Sequence, residues 1–115
     1  MIFKLFLAVL MFVHGFMHLL CGFSELKIAQ FNNLSGKILF PVNGGLRKIL
    51  GAVWLWVAAM FFISAGLLFF NQALFLAICA LVLSQVLIIV WWPDAKWGTA
   101  VNFLIVAGLF LIWQK

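Results

Sequence analysis

The chain has 115 residues, 69% of them hydrophobic and 8% charged, with a net charge of +5. So few charges cannot cover the surface of a water-soluble domain of this size, so one domain with lipid as its main solvent is expected. The basic excess is scattered through loops and ends, which argues against nucleic acid as a partner and for membrane lipids with anionic headgroups.

Four apolar runs follow one another, each close to the roughly 20 residues that cross about 30 Å of hydrocarbon. The first covers about 2–23. Lys4 followed by a long apolar stretch resembles the start of a signal peptide, but the run is longer than an h-region and three more follow, so an uncleaved span is expected. A linker, 24–48, carries Glu25, Lys27, Lys37, Arg47 and Lys48 with the breakers Gly36, Pro41, Gly44 and Gly45. If it lies along the interface, Leu26, Ile28, Phe31 and Leu34 are its lipid-facing residues. The second span covers about 49–70, and Asn71-Gln72 reads as a tight turn. The third covers about 73–92 and stops at Pro93, with Pro93 to Lys96 as the next turn. Asp94 there can cap the fourth span, about 97–113, where the helix dipole favours an anion.

Every backbone polar group must be satisfied in lipid and four spans cannot close a barrel, so the fold class expected is all-α. Short turns at two of three junctions predict a transmembrane four-helix bundle, up-down-up-down. Gly51, Ala52, Ala58, Ala59, Ala65, Gly66, Ala100, Ala107 and Gly108 are candidates for close helix contacts. Cys21 and Cys79 lie on the order of 15 Å apart in depth, too far for a disulfide.

Lys27, Lys37, Arg47, Lys48 and Lys96 sit at the linker end, against Lys4 and Lys115 at the other. Lysine and arginine prefer the cytoplasm, so the linker should be cytoplasmic and both termini outside. Trp54, Trp56, Trp91, Trp92 and Trp97 crowd the linker end and read as an aromatic belt at headgroup level.

The polar residues carry the functional signal. His14, His18, Cys21 and Glu25 fall within an arc of about 60° on one helix face. Such groups are costly in lipid, so that face should look into the bundle or a wet cavity. His14 falls about 16 Å from the termini end, near the midplane, with Ser84 and Gln85 at similar depth. Thr99 and Asn102 lie within about 8 Å of the linker end. The polar groups thus gather in one half of the molecule, with Ser64 and the Asn71-Gln72 turn in the other.

Three readings compete for this gathering. A transition metal could take His14 and His18, four apart on one helix, with Glu25 or Cys21. Glu25 is nearly two turns from His18, too far to share an ion unless the helix ends between them. An intramembrane pocket for a lipid, quinone or other amphiphile could use His14, His18, Ser84, Gln85, Thr99 and Asn102 on the polar head, with proton handling by the histidines as a variant. Alternatively His14 bonds Gln85 or Ser84, His18 bonds Asn102 or Thr99, and the network only fixes helix register. No acid–base pair, nucleophile–base pair or phosphate loop marks an autonomous enzyme. A non-catalytic accessory or amphiphile-binding protein is the leading reading. A subunit or enzyme of membrane redox chemistry, using quinone or metal at His14 and His18, is the alternative. Either can involve a membrane-protein partner or a homo-oligomer.

The order HGxxHLxxGF in the first span, SQxLI at Ser84 to Ile88, and WPDAKWGTxxN from Trp92 to Asn102 resembles small bacterial membrane proteins that are DoxX-like in size and four-span layout. That resemblance implies membrane redox partnerships and quinone-dependent thiosulfate oxidation as the family setting. The chain departs from it in lacking a paired-cysteine redox motif, and no catalytic residue carries over.

Overall fold

A computed structural model describes residues 2–26, 44–70 and 72–113. Within them the chain forms α1 (Ile2–Glu25), α2 (Gly44–Leu67) with a 3-10 turn at Leu68–Phe70, α3 (Leu74–Val90), a single helical turn α4 (Trp92–Ala95), and α5 (Gly98–Trp113). No strand occurs among the described residues. The fold is all-α, with four long helices.

Residue pairings give the order. Gly15 abuts Ala58 and Phe61 while Gly22 abuts Gly51 and Leu55, so α1 and α2 are antiparallel. Leu7 meets Gly108 and His14 meets Asn102, which makes α5 antiparallel to α1. His18 meets Ser84 and Glu25 meets Trp91, which makes α3 parallel to α1. The bundle therefore runs up-down-up-down.

Each long helix turns a stripe inward at spacings of three and four residues. On α1 the buried stripe is Leu7, Met11, His14, Gly15, His18 and Gly22. On α2 it is Gly51, Trp54, Ala58, Phe61 and Ala65. The two stripes interlock because Gly15 and Gly22 have no side chain. A Cβ at Gly15 would stand 3.0 Å from Phe61 Cβ and 3.2 Å from the Ala58 carbonyl oxygen, and one at Gly22 would stand 3.1 Å from that of Gly51. Of the small residues expected at contacts, Gly51, Ala58, Ala65 and Gly108 are buried, whereas Ala52, Ala59, Gly66, Ala100 and Ala107 face outward. Composition identified the residue type; position on the stripe decides its use.

Two boundaries differ from those read in the sequence. Helix α2 begins at Gly44 rather than near Ile49, because Arg47 in its first turns reaches back to Glu25 at the end of α1. The segment after Trp91 is a helical turn. Pro93 sits in its first two positions, where a missing N–H leaves nothing unpaired. Trp91 N–H donates to the Leu87 carbonyl, Ala95 N–H to that of Trp91 and Lys96 N–H to that of Trp92, so helical backbone bonds occur on both sides of Trp91. The anticipated cap by the Asp94 side chain lies outside the described residues, as do Lys27, Ile28, Phe31, Leu34, Lys37 and Asn71. Gln72 beyond the 3-10 turn donates to the Leu67 carbonyl. Cys21 and Cys79 form no disulfide.

The outward faces are apolar: Phe6, Trp56, Phe75, Trp97 and Phe103 are all more than 60% exposed. By length and composition, Ile2–Glu25 and Gly44–Phe70 can cross a membrane, and Leu74–Val90 and Gly98–Ile112 are shorter apolar helices.

Candidate functional site

His14 and His18 both point into the bundle, 4% and 2% exposed. Their rings meet edge to face with centroids 4.6 Å apart, as residues one helical turn apart should. Phe61 of α2 closes over both rings. Ser84 and Asn102 arrive from α3 and α5 at the same level and are buried as well.

A single hydrogen-bonded network joins them. Asn102 Oδ1 accepts from His14 Nε2 at 2.6 Å, and Asn102 Nδ2 donates to Ser84 Oγ at 3.0 Å and to Gln85 Oε1 at 3.2 Å. Ser84 Oγ lies 2.7 Å from His18 Nε2, closer than its 3.3 Å to Asn102 Oδ1. His18 Nδ1 donates to the carbonyl of His14 at 2.9 Å. Gln85 Nε2 donates to Thr99 Oγ1 at 3.1 Å.

These directions assign the tautomers. A carbonyl oxygen only accepts, so His18 carries its proton on Nδ1 and accepts from Ser84 through Nε2. Asn102 Oδ1 likewise only accepts, so His14 carries its proton on Nε2. No carboxylate stands within ion-pairing distance of either ring among the described side chains. A buried, unpaired imidazolium is costly, so both rings are neutral.

All six residues expected in a pocket, His14, His18, Ser84, Gln85, Thr99 and Asn102, thus belong to one network. Their partners differ from those read in the sequence. His14 takes Asn102, and His18 takes Ser84. A rise of 1.5 Å per residue along idealised helices does not resolve a relative shift of one turn between neighbours. Ser64, in the opposite half, is buried with its Oγ unpartnered.

Ser84 and His18 also form a nucleophile–base contact that the sequence reading did not find. Ser84 is fully enclosed and its oxygen also takes a proton from Asn102. It links His18 to Asn102.

Glu25 is placed elsewhere. Helix α1 continues unbroken past His18 to Glu25, so the helix end that would bring Glu25 to the histidines does not occur. Its carboxylate accepts from Arg47 Nε at 2.8 Å and Nη2 at 3.0 Å, and from Trp91 Nε1 at 2.5 Å. Among the described residues no three His, Cys, Asp or Glu gather to hold a metal ion.

Trp91 and Trp54 are core residues, 3% and 1% exposed, and not part of a belt. Trp54 packs on His18 and Trp91 with centroids at 4.8 and 5.6 Å. Trp56, Trp92 and Trp97 are exposed, as a belt requires.

Beside the network lies a pocket of about 280 Å³. Helix α1 contributes His14, Met17, His18 and Cys21; Trp54 and Ile88 form its back; Ala95, Trp97, Gly98 and Val101 complete it. Gly98 matters because a Cβ there would stand 2.8 Å from Ile88 Cδ1 and 3.5 Å from His14 Cε1. Its missing side chain leaves the edge of the His14 ring uncovered. Met17 and Trp97 are half and three-quarters exposed, so the pocket reaches the lateral surface between α1 and α5. The sequence reading assigned Trp54 and Trp97 to the belt and did not single out Met17, Ile88, Ala95, Gly98 or Val101 for the pocket. Gly98 lies one turn before Asn102 on the same helix, which is the signal that could have found it.

No protein-family model, curated protein or solved structure matches this chain.

Proposed function

We propose that the chain is a multi-pass integral membrane protein that binds an amphiphile, lipid- or quinone-like, without transforming it. The observation that carries this reading is the pocket of about 280 Å³, walled by apolar and aromatic side chains and bordered by two hydrogen-bonded histidines. Ligand sites combine an apolar wall with a few oriented polar groups, and this one is near the lower end of their usual volume. The apolar outer faces support lipid as the surrounding medium, since soluble monomers rarely expose large contiguous apolar patches. The long axis of 45 Å equals a bilayer with its headgroup layers, about 40–45 Å.

The linker end faces the cytoplasm in this reading, and the DoxX-like layout of the motifs is consistent with a bacterial inner membrane. A metal at His14 and His18 draws no support from the geometry, because one Nε2 is held by Asn102, the other by Ser84, and Glu25 is held by Arg47.

Mass spectrometry of solvent extracts from the purified protein tests the proposal. An amphiphile should co-purify with the unaltered chain and be lost from Gly98→Leu, whose side chain would fill the pocket beside His14. A chain that carries none, or a Gly98→Leu variant that retains it undiminished, defeats the reading.

A further inference from the structure

We infer that the pocket selects a neutral head that donates a hydroxyl proton to His14 Nδ1, an inference that rests on the amphiphile reading above. Apart from the Trp54 Nε1–H, which has no partner, the donors around the network are already committed. His14 Nε2–H goes to Asn102, His18 Nδ1–H to a backbone carbonyl, the Ser84 hydroxyl to His18, and both N–H groups of Asn102 to Ser84 and Gln85. What remains on the His14 ring is the lone pair of Nδ1, which has no hydrogen-bond partner among the described residues. That nitrogen is bonded to Cε1, the ring atom that would lie 3.5 Å from a Cβ on Gly98, and His14 lines the pocket.

The wall also discriminates by charge. None of its lining residues is Lys or Arg, so a carboxylate or phosphate would meet an acceptor lone pair with no cation to offset its desolvation. An ammonium would equally be taken out of water without a counter-ion on the lining. A hydroxyl supplies the missing proton while remaining neutral. Its own oxygen can accept in turn, and Trp54 on the same wall has a buried Nε1–H without a partner. An ether of the same shape accepts but cannot donate. The ligand class is therefore a hydrocarbon-bodied alcohol and not an anionic lipid headgroup.

Photolabelling of the purified full-length chain tests this. Diazirine-bearing forms of 1-hexadecanol, its methyl ether and hexadecanoate are compared at equal concentration, with label located by peptide mass spectrometry at Met17, Cys21 and Trp97. The alcohol should label these positions about fivefold more than the ether, the effect of one neutral hydrogen bond, and more than the carboxylate. His14→Phe should lower the alcohol to the level of the ether and leave the ether unchanged. Pocket labelling that is equal for alcohol and ether, or strongest for the carboxylate, overturns the hydroxyl inference while the amphiphile site stands. Absence of pocket label from all three overturns the amphiphile reading itself. Should His14→Phe fail to fold, the three-probe comparison on the unaltered chain decides the matter.

Discussion

His14 and Asn102, 88 positions apart, share a 2.6 Å hydrogen bond across the α1–α5 contact. It joins the first helix to the last, and Asn102 extends the link to α3 through Ser84 and Gln85. One amide thus holds three helices in register.

Removing that amide should be costly. Asn102→Leu leaves His14 Nε2–H, one Ser84 contact and Gln85 Oε1 without partners. A destabilisation of about 1–3 kcal/mol is expected, read as a lower unfolding midpoint in detergent. His14→Phe combined with Asn102→Leu should cost less than the sum of the single changes, because partners removed together leave fewer orphans. Strict additivity would show that the bond does not couple the helices.

The carboxylate of Glu25 binds Arg47 and Trp91 at once, with side-chain exposures of 10% for Glu25 and 32% for Arg47. Arg47 also lies 6.0 Å from the centroid of the Trp91 ring, at the limit of a cation–π contact. Glu25→Ala should therefore destabilise more than Arg47→Ala, by about 1 kcal/mol or more. The first change removes two hydrogen bonds from Arg47 and takes the acceptor from a buried indole N–H, whereas the second leaves Glu25 still bonded to Trp91. Equal unfolding midpoints for the two variants would contradict this order.

Glycine substitutions separate contact from mere helix propensity. Gly15→Ala places a methyl against Phe61 Cβ and the Ala58 carbonyl, atoms too close to a rigid backbone to yield freely. It should cost about 1–3 kcal/mol by overpacking. At Gly66 nothing lies within 4 Å of an added Cβ, so Gly66→Ala should be neutral or stabilising by up to about 1 kcal/mol. Thermal unfolding of the pair reads both effects in one comparison.

Orientation is tested by two exposed positions at opposite ends, Lys48 and Gln72. In a background lacking Cys21 and Cys79, Gln72→Cys should react with a membrane-impermeant maleimide on intact cells. Lys48→Cys should react only after permeabilisation. The reverse pattern would place the linker end outside.

The four-helix order could be read from apolar runs and the short connections between them, and the inward histidine face from its angular arc. What escaped the sequence was register. Neighbouring helices slide and tilt to let Gly15 and Gly22 seat on α2, and a shift of one turn exchanges the partners of His14 and His18. Trp54 and Trp91 were misassigned for another reason. An indole suits both a headgroup interface and a core in which its N–H or its ring finds company. The stripe Gly51, Trp54, Ala58, Phe61, at helical spacing, distinguishes Trp54 from its outward neighbour Trp56. The start of α2 was set too late because charged residues were counted against the helix, although Arg47 neutralises Glu25 in the first.

Helix lengths within the bundle are unequal. Helices α1 and α2 each have 24 residues, whereas α3 and α5 have 17 and 16, about 25 Å at 1.5 Å per residue and short of a hydrocarbon layer of about 30 Å. Set in a bilayer, the short flank draws the two leaflets together, because thinning costs only fractions of a kcal/mol per ångström. In the amphiphile proposal, the opening between Met17 and Trp97 would then border a local dimple, from which a hydroxyl head would reach the imidazole edge by a shorter vertical path than from the α1–α2 flank.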